Sequence, residues 1–379
     1  MVAVFVFIII LGLLIFVHEL GHFVTARRNG IKASEFGFGF PPRAVGIVKS
    51  EKTGKNRIVW GNKDIQSKNT IYSLNWIPLG GFVKIKGEDG SRVQDEDSFA
   101  HKSAWIRVKV LAAGVAMNFL FAWFLLSIVF MLGAPEVVDS SDKNVQNTKI
   151  QISEVSVGSP AAAMGLKVGD EVLKTQVSSE GVSKKIISVS SLQNFINAHK
   201  GKELTLEIKR GGENLTLKGT PRREFPAGQG ALGVSLVETA IVSYPWYLSI
   251  WKGLEATFNL IVAIFSAFFG ILASLFSGRG VGADLSGPVG IAVLTKEVTG
   301  LGLAYVMQFA ALLSINLGII NILPIPALDG GRILFVVIEK IKGSPVNQKV
   351  EQIFHTIGFV LLIMLMILVT FKDVSKFVN

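Results

Sequence analysis

Long uninterrupted apolar stretches, separated by polar regions of quite different patterning, dominate this 379-residue chain. Residues 2–17 are almost wholly apolar and, continued to Ala26, are long enough to cross a bilayer of about 30 Å as a helix. A second stretch covers residues 108–132, and three more lie at residues 254–276, 301–323 and 353–371. Between the first two, Gly37-Phe38-Gly39-Phe40 and Pro41-Pro42 lead into short alternating runs at 44–48, 57–60 and 82–85, which predict strands joined by Lys-rich turns. Residues 134–225 return to a soluble pattern, with strands predicted at 150–155, 203–209 and 214–219 and a short helix at 192–199.

Composition strengthens the membrane reading, because 50% of the residues are hydrophobic and only 17% charged. The chain has no cysteine, which excludes disulfides and thiolate metal sites and leaves His, Asp and Glu as the available metal ligands. The formal charge of +10 is unevenly placed. Residues 27–109 carry 16 Lys and Arg against 8 Asp and Glu, whereas residues 134–240 carry 13 against 12. Arg27, Arg28, Lys102, Arg107 and Lys109 flank apolar stretches, where basic residues mark the cytoplasmic side of a membrane protein. That distribution speaks for membrane topology and against a nucleic-acid partner.

His18-Glu19-Leu20-Gly21-His22 places two imidazoles four residues apart, on one face of a helix, where they can share a zinc ion. Glu19 then lies beside the metal, where its carboxylate can take a proton from water and pass it to a departing amide nitrogen. Ionisable groups within a membrane helix are costly and are usually functional, which favours this chemistry over a chance match. Two histidines leave a catalytic zinc one protein ligand short. Asp329 is the candidate third ligand: it follows Pro324 and Pro326 in an apolar stretch that they interrupt, and irregular backbone at membrane depth is tolerated where it lines a buried or wet cavity. Taken alone, Asp329 reads equally well as a helix N-cap. Asn118, inside the second stretch, is expected to make an interhelical hydrogen bond. Ala112, Ala113, Gly114 and Ala116 beside it allow close helix packing. His101, His199 and His355 stand without ligand spacing and are expected at surfaces or interfaces.

Together with residues 72–84, 286–291, 313–318 and 321–331, these motifs make the chain resemble the bacterial site-2 proteases, the RseP-like intramembrane zinc metalloproteases. The resemblance covers nearly the whole length. It implies that His18, His22 and Asp329 bind Zn2+, that Glu19 is the catalytic base, and that Asn321 helps hold the substrate backbone, with Pro324 and Pro326 shaping its helix. Residues 158–170 resemble the strand, Ala-rich turn and Gly-Asp corner of the PDZ domains of bacterial envelope proteases, and there is room for one such module between Pro135 and Pro226. Val115 departs from the family pattern, standing where a proline is usual.

The expected fold is an α-helical polytopic membrane protein. It has four transmembrane helices plus a membrane-associated segment, a cytoplasmic-side membrane-associated β-hairpin region and one inserted PDZ-like α+β domain. Residues 1–26 form the first span with the His-Glu motif, 27–104 a cytoplasmic-side β-rich loop, 105–133 the second span, and 134–225 the PDZ-like domain. A linker and membrane-associated helical region follow at 226–300, then the third span with the Asn and Leu-Asp-Gly motifs at 301–342, and a loop and fourth span at 343–379. The count of four follows from parity. His18, His22 and Asp329 must share one depth, so the chain between the second span and residue 301 crosses an even number of times, and 254–276 is expected to lie on or dip into the bilayer. The expected location is the bacterial cytoplasmic membrane, with the site near its cytoplasmic side and the PDZ-like domain outside. Expected partners are single-pass membrane protein substrates, such as anti-sigma factors or signal-peptide remnants, the lipid bilayer, and a peptide ligand of the PDZ-like domain. An exposed strand near Gly81 to Ile85, which includes Val83, is expected either to pair with an extended substrate or to pack against its own chain, and the residues alone do not separate the two. The rival reading is a catalytically inactive membrane scaffold that uses its PDZ-like domain to bind partners.

Overall fold

The computed structural model describes residues 2–378 apart from 52, 64, 66, 138–147, 178–182, 186–187, 227–228 and 278–286. Ser286, one of the residues that carry the family resemblance, lies outside the described residues.

The chain divides into two compact units. The first contains α1 (Val2–Arg28), β1 (Ala33–Lys49), β2 (Asn56–Trp60), β3 (Ile71–Ile85) and most of α2 (Ala104–Leu132). It continues through nearly all of α5 (Trp246–Phe276), most of α6 (Pro288–Leu301), and α7 (Leu303–Ile322), α8 (Asp329–Lys342) and α9 (Gln348–Val378). Five of these helices, α1, α2, α5, α7 and α9, contain stretches long and apolar enough to cross a membrane. Ile10 and Leu14 of α1, Ala122 and Leu126 of α2, and Ala311, Ile315 and Ile319 of α7 form a core shared by these three helices, against which Leu260 and Ile264 of α5 pack. Small residues set the closest crossings. At Gly21 an added Cβ would fall onto the backbone of Ala113, so α1 and α2 touch main chain to main chain there.

Three expectations change in detail. The region around residues 29–104 is a three-stranded sheet with β1 in the middle, not a hairpin. The expected third span is two helices, because Pro324 and Pro326 interrupt the helical ladder between α7 and α8. The segment expected at 254–276 starts at Trp246 and is one continuous 31-residue helix, one of the five long and apolar enough to cross a membrane.

The sheet's register matters for the site. Residues 35–38 of β1 are paired on one side with 81–84 of β3 and on the other with 71–74 of the same strand. Residues 72–74 are paired in turn with 45–47, which carry β2 beyond them. Both long strands therefore bend back and interleave, and among the described residues the outer side of 81–85 has no strand partner. Trp60, Trp76, Ile58, Leu74 and Ile47 are exposed around this sheet, an apolar surface suited to lipid contact. Inside it, Arg43 reaches Glu35 through two hydrogen bonds, at 2.9 and 3.1 Å, which balances two charges that the fold buries.

The second unit holds β4 (Ala134–Val137), β5 (Lys149–Val155), α3 (Pro160–Met164), β6 (Glu171–Val177), β7 (Ser183–Lys185), α4 (Val189–Ala198), β8 (Leu204–Arg210), β9 (Glu213–Gly219) and β10 (Val234–Val242). The strands form one sheet in the order β4-β10-β5-β6-β8-β9, with β7 on β6. The strands expected at 150–155, 203–209 and 214–219 and the helix at 192–199 appear within two or three residues of their expected bounds. Strands β4, β6, β7 and β10 were not anticipated, since their mixed patterns are no cleaner than those of loops. Asp170 is buried and accepts hydrogen bonds from Arg210 Nε and Nη2 at 2.6 Å and from the Lys167 N–H at 2.8 Å, which fixes the Gly-Asp corner.

Candidate metal centre

Helix α1 buries His18 and His22 one turn apart, facing α2. Although Asp329 is separated from His18 by 311 positions, its Oδ2 lies 3.0 Å from His18 Nε2 and 3.3 Å from His22 Nε2. The two Nε2 atoms are 3.1 Å apart. Three donor atoms thus form a nearly equilateral triangle. A tetrahedral ion with bonds of about 2.0–2.1 Å needs ligand separations of about 3.3 Å, so these residues fit a metal with only slight outward movement. Among the described residues this is the single group of three His or carboxylate side chains so arranged.

Helix α2 aligns both rings. His22 Nδ1 donates to the Val110 carbonyl at 2.8 Å, which directs the Nε2 lone pair to the shared point. The Asn118 side-chain amide lies 3.2 Å from His18 Nδ1. Turned with its carbonyl toward the ring, the amide accepts the Nδ1 proton and gives its otherwise unpartnered oxygen a donor, and His18 Nε2 is freed as a ligand. Ser314 of α7 donates to the Asn118 backbone carbonyl at 2.8 Å and ties the Asp329-bearing arm to the same place. Asn118 thus makes the interhelical bond expected of it, and its partner is a ring of the site. Gly114 lies directly behind the rings: an added Cβ would stand 2.5 Å from His22 Nε2 and 2.7 Å from His18 Nε2.

Asp329 is the first residue of α8 and not its N-cap, a place held by Leu328, which supplies no side-chain cap. Ala327, one residue earlier, has a φ of +71°, a left-handed conformation that costs a non-glycine residue about 1–2 kcal/mol.

A cavity of about 1060 Å³ opens onto the site. Glu19, His22, Asp329 and Arg332 line one part of it, and Phe82 to Ile85 of β3, with Lys86 and Gly87 just beyond, line another. Of the other expected substrate contacts, Val83 lines this cavity, whereas Gly81, Asn321 and Pro324 do not. Gly81 instead packs on Phe16 of α1, and Asn321 closes α7 just before the break. Val110 and His355 were not anticipated as supports of the site: a backbone carbonyl leaves no mark in sequence, and His355 has no ligand spacing.

Two buried histidines and a half-buried aspartate, held among apolar helices and open to a polar cavity, define a membrane-embedded metallohydrolase. The family model described as Peptidase family M50 matches residues 6–365, and the chain belongs to that family. It is 30% identical to the zinc metalloprotease RasP of Geobacillus kaustophilus, over 98% of this chain and 97% of that one. It is 29% identical to the regulator of sigma-W protease RasP of Bacillus subtilis, over 98% of each chain. The protein is a multi-pass membrane zinc metalloprotease.

Proposed function

We propose that this protease hydrolyses peptide bonds within or next to transmembrane helices of single-pass membrane proteins, in the manner of a site-2 protease, with zinc held by His18, His22 and Asp329. The observation that carries the reading is the convergence of Asp329 on both histidines between apolar helices. When bound, zinc supplies Lewis acidity that activates water and polarises the scissile carbonyl. Glu19, adjacent in sequence to His18 and lining the same cavity, takes the proton of the attacking water and delivers it to the leaving amide nitrogen. Val110 and Asn118 hold the two imidazoles in one tautomer each. Treatment with a chelator should abolish cleavage of a purified transmembrane substrate, and added zinc should restore it. Persistent cleavage by protein shown to be metal-free would end the proposal.

A peptide bond in a helix is shielded by its own hydrogen bonds, so the substrate must unwind before it is cut. The unpaired side of residues 81–85, facing the cavity that holds Glu19 and Asp329, is placed to take an extended substrate by strand addition. A Val83→Gly change weakens that strand by up to about 1 kcal/mol. It should slow cleavage of stable substrate helices several-fold more than of helices loosened by glycine or proline, and equal slowing of both would refute strand addition.

Topology is proposed as four crossings. Gln348 Nε2 donates to the Gly90 carbonyl, so α9 starts at the same end of the unit as α2 and runs the same way. Near the other end, Asp373 of α9 accepts from the Gly290 N–H at 2.8 Å, which places the start of α6 some 18 residues, about 27 Å, beyond His355. Gly253 of α5 packs on Ser127, about 20 Å beyond Gly114 along α2. A straight return of α5 across the bilayer would put Phe276 about 40 Å from Gly287, and the eleven peptide steps that join them span about 36–40 Å only when fully extended. That supports a strongly inclined α5 that does not fully cross. Basic Arg27 and Arg28 support a metal site toward the cytoplasmic side.

The second unit is read as PDZ-like. Strand β4 pairs with residues 239–242 of β10, and among the described residues 234–238 have no strand on that side, an edge open to a peptide ligand. The rival reading, a catalytically inactive scaffold, gives way to the chain's membership of a zinc metalloprotease family.

A further inference from the structure

Helix α9 does more than anchor the C-terminal end of the chain. His355 Nδ1 lies 2.8 Å from the backbone nitrogen of Ala327 and accepts its hydrogen bond, so the ring carries its proton on Nε2. Ala327 is the residue with the left-handed φ of +71°, two positions before Asp329. One turn further along α9, a Cβ on Gly358 would overlap Pro326, so α9 presses directly onto the break. Phe335 of α8 packs its ring 5.1 Å from Phe354 and 5.7 Å from His355, which holds the imidazole from the other side.

These contacts close a loop of cause. An alanine relaxes to negative φ unless its surroundings forbid it, and here the only acceptor shown for its N–H is the imidazole of His355. Relaxation at Ala327 would swing Leu328 and the carboxylate of Asp329, whose Oδ2 must stay about 3 Å from two imidazoles on a different helix. We propose that His355 is a positioning residue of the metal centre: by accepting the Ala327 N–H it locks the break between α7 and α8 in the one conformation that presents Asp329 to His18 and His22. The inference rests on the reading of these three residues as the zinc ligands.

The test uses full-length protein in detergent and reads the rate of zinc loss to a chromogenic chelator together with kcat and KM on a transmembrane substrate. Asparagine places its carbonyl oxygen the same three bonds from Cα as His Nδ1, leucine offers no acceptor, and glutamine sets its oxygen one bond too far. His355→Leu should lose zinc at least about tenfold faster and show a kcat about 10–100-fold lower with KM within about twofold, the size usual for partners behind a metal ligand. His355→Asn should stay within about threefold of the native protein in both. If His355→Leu does not give a folded protein by thermal melting, His355→Asn and His355→Gln, each keeping a polar side chain, carry the comparison, with zinc retained in the first and lost in the second. Native zinc retention in His355→Leu, or asparagine no better than leucine or glutamine, would overturn the proposal. Asp329→Asn serves as the control: zinc held at native strength by that variant removes the ligand assignment itself, while zinc lost there and kept in His355→Leu removes only the role given to His355.

Discussion

A Glu19→Gln protein is expected to keep its zinc and to lose about 10²–10⁴-fold in peptide-bond hydrolysis, the range that a positioned general base contributes. The substitution keeps the size and hydrogen-bonding capacity of the side chain and removes only its ability to take and return a proton. Among the described residues no hydrogen bond ties Glu19 to His18, His22 or Asp329, so the variant keeps the three ligands in place and should keep its zinc. The measurement is zinc content per folded protein alongside turnover of a transmembrane substrate. Turnover near the native rate in zinc-loaded Glu19→Gln would require another base. The candidates would be confined to the same cavity, whose other acidic side chains are Glu51, Glu88, Asp89 and Asp329. Glu88 is paired with Arg332 of α8 and Asp89 accepts from Ser91, which makes both poor substitutes.

The readable and unreadable parts of the site divide along a physical line. His18, Glu19 and His22 were legible because the four-residue period of one helix turns sequence spacing directly into geometry. Asp329 was legible only by chemical need, a missing third ligand, together with prolines in an apolar stretch. Its depth then constrained the crossings of the whole chain. The supports were harder. Asn118 announced itself as a polar group in a costly place, without saying which atom it served. The Val110 carbonyl and the Ala327 N–H belong to the backbone, which sequence does not mark, so His355, whose role is to meet one of them, read as an ordinary interface residue. In the β-rich region the alternating runs located short pieces of β1, β2 and β3 but could not show that two long strands bend and interleave, because that depends on pairing between distant segments.

Gly114→Ala is expected to damage both zinc binding and turnover, although the residue has no chemistry of its own. A single methyl group there would stand 2.5 Å from His22 Nε2 and 2.7 Å from His18 Nε2, inside contact distance of the very atoms assigned to the metal. The rings cannot both retreat, since His22 is tied to Val110 of α2 and His18 faces Asn118 of the same helix. The helices cannot easily separate either, because α1 and α2 meet main chain to main chain at Gly21 and Ala113, and the Asn118 backbone carbonyl is held by Ser314. One of the two imidazoles must therefore turn out of the triangle, with zinc affinity and turnover falling together by about 10–100-fold. Gly270→Ala supplies the comparison, since that position on α5 has open space where the methyl would go, and it should behave as the native protein does. Alanine is also the better helix former, so lost helix propensity cannot account for damage at Gly114. Native zinc content and turnover in Gly114→Ala would mean that α1 and α2 pack less closely than described and that His18 and His22 do not point where Asp329 meets them.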